Sequence, residues 1–545
     1  MKDELNVLIV GAGLVGTLSA IMLAQRGCQV TLVESRSDPR LVASTSRARS
    51  INLALSARGI QAINSVNPQL AQLVMANGIA MRGRMIHKKP NNTTTISSSS
   101  SSSSSNPIKS KQRVDKLAQD YGFVEEGEVI RSISRTELGI HLLNHVDNTP
   151  VLKQSIETLF DTKLIELDLR LDAGINATLG NRHKGQYTRH FDLVIGADGA
   201  YSRVRREMMR GSGTRFNYKQ YWAPHAYLEL SIPAGPASTF QLEPNYLHIW
   251  PRGELMLIAL PNQDKTFTVT LFAHQTTFDA LDKRLARNGT STNAVIELFK
   301  SEFPDALELI GEHNLLTDWK QNPKDGLITV ECAPYHFSNK ALLIGDAAHA
   351  MVPFYGQGMN CGFEDVRFLS SLLDTYLAIP KPQTPSPLPY SSASPSLPSI
   401  PSIESTTLLE RLELALSTYT LLRTRSITAI QQLAQSNYTE MASSVIDPLY
   451  LIRLSLDSLL TSLARKGWFS LLRDNKIGYD NTLGQGGIWD SLYRMTTFKW
   501  GIAYDEVIKR RQWQQKVLTT GLGIGLSSVG VVSWIVGRYV VGSGR

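Results

Sequence analysis

The run VLIVGAGLVGTLSAIMLAQRGCQVTLVE, residues 7–34, constrains the fold more than any other stretch. An apolar segment leads into Gly11, Gly13 and Gly16 at GxGxxG spacing. A helix-length apolar segment follows, and a second apolar run ends in Glu34. That order predicts strand, tight turn, helix and parallel strand. Gly11 allows the turn, Gly13 lets a pyrophosphate approach the backbone, and Gly16 lets the helix sit close to the strand. The start of the helix offers free N–H groups and a positive dipole end to phosphates. Glu34 stands where an acid hydrogen-bonds ribose hydroxyls; this argues against a 2′-phosphate and leaves FAD or NAD.

Two later stretches repeat the pattern of apolar strand, turn and helix. FDLVIGADGAYSRVRREM, residues 191–208, carries Asp198–Gly199 at its turn. ALLIGDAAHAMVPFYGQGMNCGFEDV, residues 341–366, carries Asp346. An Asp just after a strand can accept hydrogen bonds from sugar hydroxyls. The GQGMN segment predicts a helix start whose N–H groups stabilise an anion, and Gly356 and Gly358 permit close approach of the backbone. His349 finds no partner in its sequence neighbourhood and reads as structural rather than as a general base.

The remaining composition narrows the class. The 545 residues carry a net charge of +8, with 42% hydrophobic and 19% charged residues, enough for a large two-part globular fold. The basic excess suits an anionic cofactor, an acidic substrate or a lipid surface. No zinc finger, basic-region helix or aromatic–basic RNA motif occurs, so nucleic acid is not an expected partner. Cys28, Cys332 and Cys361 are far apart, which argues against a disulfide framework or a metal site. The N-terminus enters the first strand without a signal peptide. Val517–Gly537 has no charged residue and is flanked by basic groups, so it reads as a transmembrane anchor. A Ser-rich insert (91–112) and a Pro/Ser-rich insert (378–405) are too poor in apolar residues to pack and are expected to be disordered.

With GxGxxG first, DG in the middle and GD late, the chain resembles the aromatic-hydroxylase family of FAD monooxygenases. RARSINLALSARGIQAI (47–63), GRMIH (83–87), YLHIWPRGELMLIALPNQDKTFTVTLF (246–272) and MVPFYGQGMN (351–360) are more specifically similar to the kynurenine 3-monooxygenase family. The likeness runs from residue 5 to about 372. It resumes at RSITAIQQLAQSNYTEM and SLYRMTTFKWGIAYDEVIKRRQWQQKV. The resemblance implies a Rossmann-like α/β fold of the p-hydroxybenzoate hydroxylase type, with an antiparallel-sheet substrate domain, C-terminal helices and a membrane tail. The FAD-binding part is expected at 1–90, 113–210 and 331–377, the substrate domain at 211–330, a helical domain at 406–516 and the anchor at 517–537. Residues 246–272 read as a hairpin turning at NQDK.

The resemblance implies bound FAD, with NADPH and O₂ as co-substrates, and hydroxylation of L-kynurenine to 3-hydroxy-L-kynurenine through a flavin C4a-hydroperoxide. It also implies the outer mitochondrial membrane, with the catalytic part facing the cytosol. Carried over for FAD are Gly11, Gly13, Val15, Gly16, Glu34, Arg36, Ala54, Arg135, Leu164, Asp198, Asp346, Gly358, Met359 and Asn360. Carried over for the substrate are Arg84, Tyr121, Asn437, Glu440 and Tyr493. Arg84 is the expected carboxylate anchor. Pro353 is expected near the flavin, and no side chain is firmly assigned to catalysis, because an arylamine activates its ring without losing a proton. The GRMIH–YG connection is longer here than the family pattern, which puts the position of Tyr121 to the test. Two alternatives stay open: another FAD-dependent aromatic hydroxylase, and a non-catalytic membrane-tethered protein like the GDP-dissociation inhibitors. Neither the oligomeric state nor an NADPH docking site is legible.

Overall fold

The computed structural model describes residues 4–41, 52–89, 115–170, 174–211, 215–287, 292–377, 407–466 and 489–520. Asn6–Val10 runs through a six-stranded sheet. Its order is His336–Phe337, Ala341–Leu343, Leu193–Gly196, Asn6–Val10, Gln29–Val33 and Ile156–Leu159. Every neighbouring pair is parallel except the first. Val7 pairs with Val30 on one side and Leu193 on the other. Strands covered on both faces need continuous apolar runs, which is what these segments carry. The helix Leu14–Ala24 is buried at all but one position and packs against the helix Gly358–Leu377.

Four adjacent strands of this sheet end at one edge. Past their carboxyl ends come Ile344–Asp346, Ala197–Gly199, Gly11–Gly13 and Glu34. The GxGxxG, DG and GD motifs, up to 335 positions apart by their numbers (Gly11 to Asp346), therefore lie side by side. Open α/β sheets bind ligands at this edge.

A second sheet has seven strands: Lys324–Ala333, Asn217–Ile232, Phe267–His274, Leu255–Pro261, Tyr246–Arg252, Gly83–His87 and Lys116–Asp120. The expected hairpin is present. Leu255–Pro261 and Phe267–His274 pair antiparallel, and the turn closes with Asn262 N–H donating to Thr266 O at 2.8 Å. The expected boundaries need correction, because residues 211–330 do not complete this sheet. Gly83–His87 joins it parallel to Tyr246–Arg252, and Lys116–Asp120 adds the edge. Both strands come from segments assigned to the FAD-binding part. One face of the sheet packs with Phe299, Phe303 and Trp319 of the intervening helices. The other face meets the long helix Leu408–Ala442 through Ile249, Phe272, Ala434 and Met441.

That long helix opens with a capping box between Thr407 and Glu410 and packs along Gly358–Leu377. Pro448–Arg465, Leu492–Thr497 and a helical stretch over 504–520 follow. Among the described residues no helix is long and apolar enough to cross a membrane. Of the expected anchor, 517–520 continue the last helix and 521–537 lie outside the described residues, as do both inserts.

Candidate active site

Two cavities share a wall made of Gly13, Leu14, Asn52 and Arg135. The larger, about 1480 Å³, reaches Glu34 and Arg36. The smaller, about 300 Å³, lies between the motif edge of the first sheet and the front face of the second. Leu247, Ile249, Ile258, Leu260 and Phe272 give it an apolar roof from the second sheet. On its floor are Val15, Ala54, Asp346, Pro353, Gly358 and Met359.

The glycines divide the labour as their spacing implied. Gly11 sits at φ +101°, and a Cβ there would lie 2.5 Å from Ala197 O. A Cβ on Gly16 would stand 1.9 Å from Gly11 O, so only hydrogen fits. A Cβ on Gly13 would meet nothing within 4 Å and would project into open space beside the cavities. No side chain caps the helix that begins here, so its first N–H groups are open to an anion.

Glu34 holds this loop. It accepts from Ala12 N–H at 3.1 Å and from the Arg36 backbone and guanidinium at 3.0 and 2.9 Å. Burial alone would raise its pKa; Arg36 and the Ala12 N–H outweigh it and hold the carboxyl below its ordinary value. Arg135 begins its helix and lines both cavities. Asp346 is exposed, lines the smaller cavity and makes no hydrogen bond or ion pair among the described residues.

Three carried-over FAD residues have their side chains elsewhere. Leu164 is corrected: it is buried in the hydrophobic core of a three-stranded sheet and lines neither cavity. Asp198 caps the following helix, accepting from Arg203 N–H at 2.6 Å and Val204 N–H at 3.2 Å, while its neighbours Ala197 and Gly199 line the cavity. Asn360 staples backbone. Its Oδ1 accepts from Ser56 N–H at 2.9 Å, and its Nδ2 donates to Ala54 O and Gly356 O at 2.9 and 2.7 Å. It shapes the floor from behind.

On the substrate side, Arg84, Tyr121, Asn437 and Tyr493 all reach the smaller cavity. Arg84 is buried, and its Cζ lies 5.3 Å from the centre of the Tyr493 ring. Tyr493 stacks on Tyr121 with centroids 4.7 Å apart and planes at 17°. Asn437 donates to Phe354 O at 2.6 Å. Glu440 does not line the cavity. It sits 3.4 Å from Arg84 Nη2 and accepts from Tyr450 O–H at 2.7 Å. Burial opposes the Arg84 charge, but Tyr450, Glu440, Tyr121 and Tyr493 outweigh it and raise its pKa. Burial pushes Tyr121 and Tyr493 up, so both stay neutral phenols. The buried Tyr121 hydroxyl makes no hydrogen bond of standard geometry, and its nearest polar interaction is with the Tyr493 hydroxyl. Asp346 is the one carboxylate among the described lining residues, and no histidine is among them.

The long GRMIH–YG connection leaves Tyr121 in place. Gly83 pairs with Asp120 and His87 with Lys116, so the insert leaves the hairpin at the end opposite Tyr121. Tyr121 N–H donates to Arg82 O at 2.9 Å.

His349 has a partner that sequence reasoning missed. Its Nε2 lies 2.7 Å from Asp365 Oδ2, and the same carboxylate accepts from Gly345 N–H at 2.9 Å and Arg423 Nε at 2.8 Å. Gly345 adopts φ +57°, and Asp365 thereby pins the GD turn. Arg423 also reaches Glu364, which pairs with Arg58 at 2.8 Å; all are fully buried. Burial would raise Asp365, but His349 and Arg423 hold it down to about 2. Asp365 and Glu364 stand together in GFEDV, and adjacent carboxylates in a small-residue helix were the available signal.

Comparison with known proteins agrees with this geometry. Residues 4–378 match the FAD binding domain family model. The fold is shared with 2-methyl-3-hydroxypyridine-5-carboxylic acid oxygenase (TM-score 0.53, 18% identity, 82% of this chain and 95% of that one). It is also shared with p-nitrophenol 4-monooxygenase from Pseudomonas putida (TM-score 0.55, 17% identity, 83% and 92%). The class is thus the FAD-dependent monooxygenases. A Cryptococcus neoformans kynurenine 3-monooxygenase is 36% identical over 99% of this chain and 96% of its own length. One from Anopheles gambiae is 35% identical over 99% and 91%. The chain belongs to the kynurenine 3-monooxygenase family.

Proposed function

We propose that the protein hydroxylates L-kynurenine to 3-hydroxy-L-kynurenine, using FAD, NADPH and O₂. The observation that carries this reading is one apolar cavity with two chemically distinct walls: a glycine-rich main-chain floor, and a buried arginine with a tyrosine pair opposite. The residues present fit a dinucleotide flavin. Gly13 leaves open the space a Cβ would fill, the helix start is uncapped, and Asp346 has a free carboxylate. Gly13, Arg135 and the helix start would hold the pyrophosphate, Asp346 the sugar chain, and the Gly358 helix start the pyrimidine edge. When bound, FAD supplies the electron transfer from NADPH and the activation of O₂.

The chain's own residues position the substrate and exclude water. Arg84 takes the amino-acid carboxylate through its planar fork. Glu440 and Tyr450 hold that fork from behind. The aromatic ring lies under Ile249, Ile258 and Phe272, a surface without titratable groups. No protein base is needed, because the substrate's aniline nitrogen donates electron density without being deprotonated. The neutral tyrosines and the lack of a lining histidine agree with that chemistry.

The uncharged 517–537 segment supports a membrane tail, and the family likeness supports the outer mitochondrial membrane with the catalytic part in the cytosol. Fractionation of tagged protein with and without the tail tests this; an unchanged distribution overturns it. The activity is tested by flavin absorbance of the purified protein and by NADPH oxidation with and without L-kynurenine. The expected result is a yellow protein, stimulated oxidation and a hydroxylated product by mass spectrometry. A colourless protein, or no stimulation and no product, sinks the reading.

A further inference from the structure

Behind the tyrosine pair, outside the cavity, lies a buried ionic clamp. Glu128 and Arg494 are 7% and 5% exposed, and neither lines the pocket. Arg494 follows Tyr493 on the helix Leu492–Thr497. Its Nε and Nη2 donate to the two oxygens of Glu128 at 2.8 and 2.7 Å, a two-point fork. Glu128 Oε2 also accepts from Phe123 N–H at 3.0 Å, and Glu128 N–H donates to Phe123 O at 3.3 Å. The loop leaving Tyr121 is thereby folded back onto the carboxylate. Lys499 adds a cation 3.3 Å from Oε1, Asp490 adds a second carboxylate on Arg494, and the guanidinium lies 4.6 Å from the Phe123 ring centre. Gly122 is the thinnest point: a Cβ there would lie 2.2 Å from Glu128 Oε2 and 3.2 Å from Arg494 Nε.

We propose that Glu128 and Arg494 are positioning residues that press Tyr121 and Tyr493 into register and so fix the aim of Arg84. Three facts join in this. Each tyrosine is within two residues of a clamp anchor: Tyr121 precedes Gly122 and Phe123, and Tyr493 precedes Arg494. The two rings stack on each other, and Tyr493 is also held by Tyr355, with centroids 5.9 Å apart and planes at 15°. Arg84 rests over the Tyr493 ring of that stack. A shift of either backbone segment therefore moves the ring beneath the carboxylate anchor. Misplacement of about 1 Å costs on the order of a hundredfold in catalysis when it reaches reacting groups; here it reaches the binding end.

The proposal rests on the substrate reading above. Its test uses the full-length flavin-loaded enzyme with E128Q, R494K and G122A. G122A keeps both charges and only displaces the carboxylate, so it serves where E128Q fails to fold. The expected result is a KM for L-kynurenine raised about tenfold or more in E128Q and G122A, with kcat within about twofold and flavin content unchanged. R494K, which keeps the charge but loses the fork, should fall between wild type and E128Q. In a Tyr121→Ala background, E128Q should add almost nothing to KM, because the stack through which it acts is gone. A clamp that served stability alone would lower the melting temperature in both backgrounds and leave KM unmoved, and that result overturns the proposal. A wild type indifferent to L-kynurenine sinks the substrate reading instead. The clamp is then judged by near-ultraviolet circular dichroism: E128Q should lose the same stacked-tyrosine signal as Tyr121→Ala, and an unchanged spectrum overturns the clamp.

Discussion

The two walls of the cavity are built by different means. The flavin-facing floor is mostly main chain, delivered by turns at the ends of four neighbouring strands, and apart from Asp346 its acidic and amide side chains, Glu34, Asp198 and Asn360, are tied to protein. The substrate-facing wall is side chains: Arg84 from one strand, Tyr121 just past the next, Asn437 from a long helix and Tyr493 from a short one. A main-chain surface is damaged by adding atoms. A side-chain surface is damaged by moving or removing charge.

Adding a methyl should separate two glycines in one motif. Gly16→Ala puts Cβ into Gly11 O at 1.9 Å, against backbone that cannot yield. The expected outcome is no soluble flavoprotein. Gly13→Ala meets nothing of the protein, so the chain should fold with a near-wild-type melting temperature yet lose its flavin absorbance. Equal behaviour of the two variants would contradict a division between packing and ligand approach.

The next largest effect falls behind the floor. Asp365→Asn keeps the shape but leaves Arg423 and His349 facing a neutral group in a fully buried site. Breaking a buried pair costs about 3–5 kcal/mol, so the melting temperature should fall sharply, with loosened flavin. On the other wall, Arg84→Lys should leave flavin content and melting temperature alone. Charge-assisted bonds of about 1.5–3 kcal/mol are at stake, which corresponds to a KM raised roughly 10- to 100-fold. An unchanged KM would remove Arg84 as the anchor.

This contrast also explains what the sequence disclosed. The floor was legible because each of its turns is contiguous: GxGxxG, DG and GD announce themselves by spacing, and the strands between them are unbroken apolar runs. Even so, Asn360 and Asp198 were read as ligand contacts, whereas the structure uses their side chains on backbone N–H and C=O groups. A polar residue in a ligand motif serves the motif's shape as readily as the ligand. Leu164 was misplaced because nothing local distinguishes a core leucine in a strand from one beside a cofactor. The substrate wall was legible only through likeness to relatives. No local pattern joins Arg84 to Tyr493, and the Glu128–Arg494 pair spans 366 positions. The domain boundary failed for the same reason, since two strands of the substrate sheet come from the N-terminal part.

A milder difference separates the two faces of the substrate sheet. Among the described residues this sheet contributes no histidine to the pocket lining, while on its other face His248 Nδ1 lies 2.9 Å from His87 Nε2 and its Nε2 meets Glu243 O at 2.9 Å. Burial, then His87, lowers His248 to about 4; Glu243 opposes this and Lys116 assists it. The folded group is thus neutral where an unfolded histidine, near 6.5, takes up a proton. Stability from this site is full above about pH 6.5 and is lost as pH falls towards about 4. Between pH 7 and 5.5 the loss should be about 1 kcal/mol, visible as a lower melting temperature that His248→Phe reduces. A pH-independent difference between wild type and variant would contradict a neutral His248.

The smallest effect should come from the largest deletion. The connection between Lys89 and Asp115 contains the Ser-rich insert, yet the strands on either side are held by five paired positions, and Tyr121 lies beyond the far pair. Position in such a hairpin follows from ladder register and from the Tyr121–Arg82 hydrogen bond, not from the length of the connection. Shortening the connection to about a quarter of its length reduces loop-closure entropy by about 1 kcal/mol. The melting temperature should rise slightly, and the KM for L-kynurenine should not move. A raised KM with flavin retained would mean that the insert itself helps hold the Tyr121 end of the hairpin, and that the substrate wall depends on chain outside the four elements that build it.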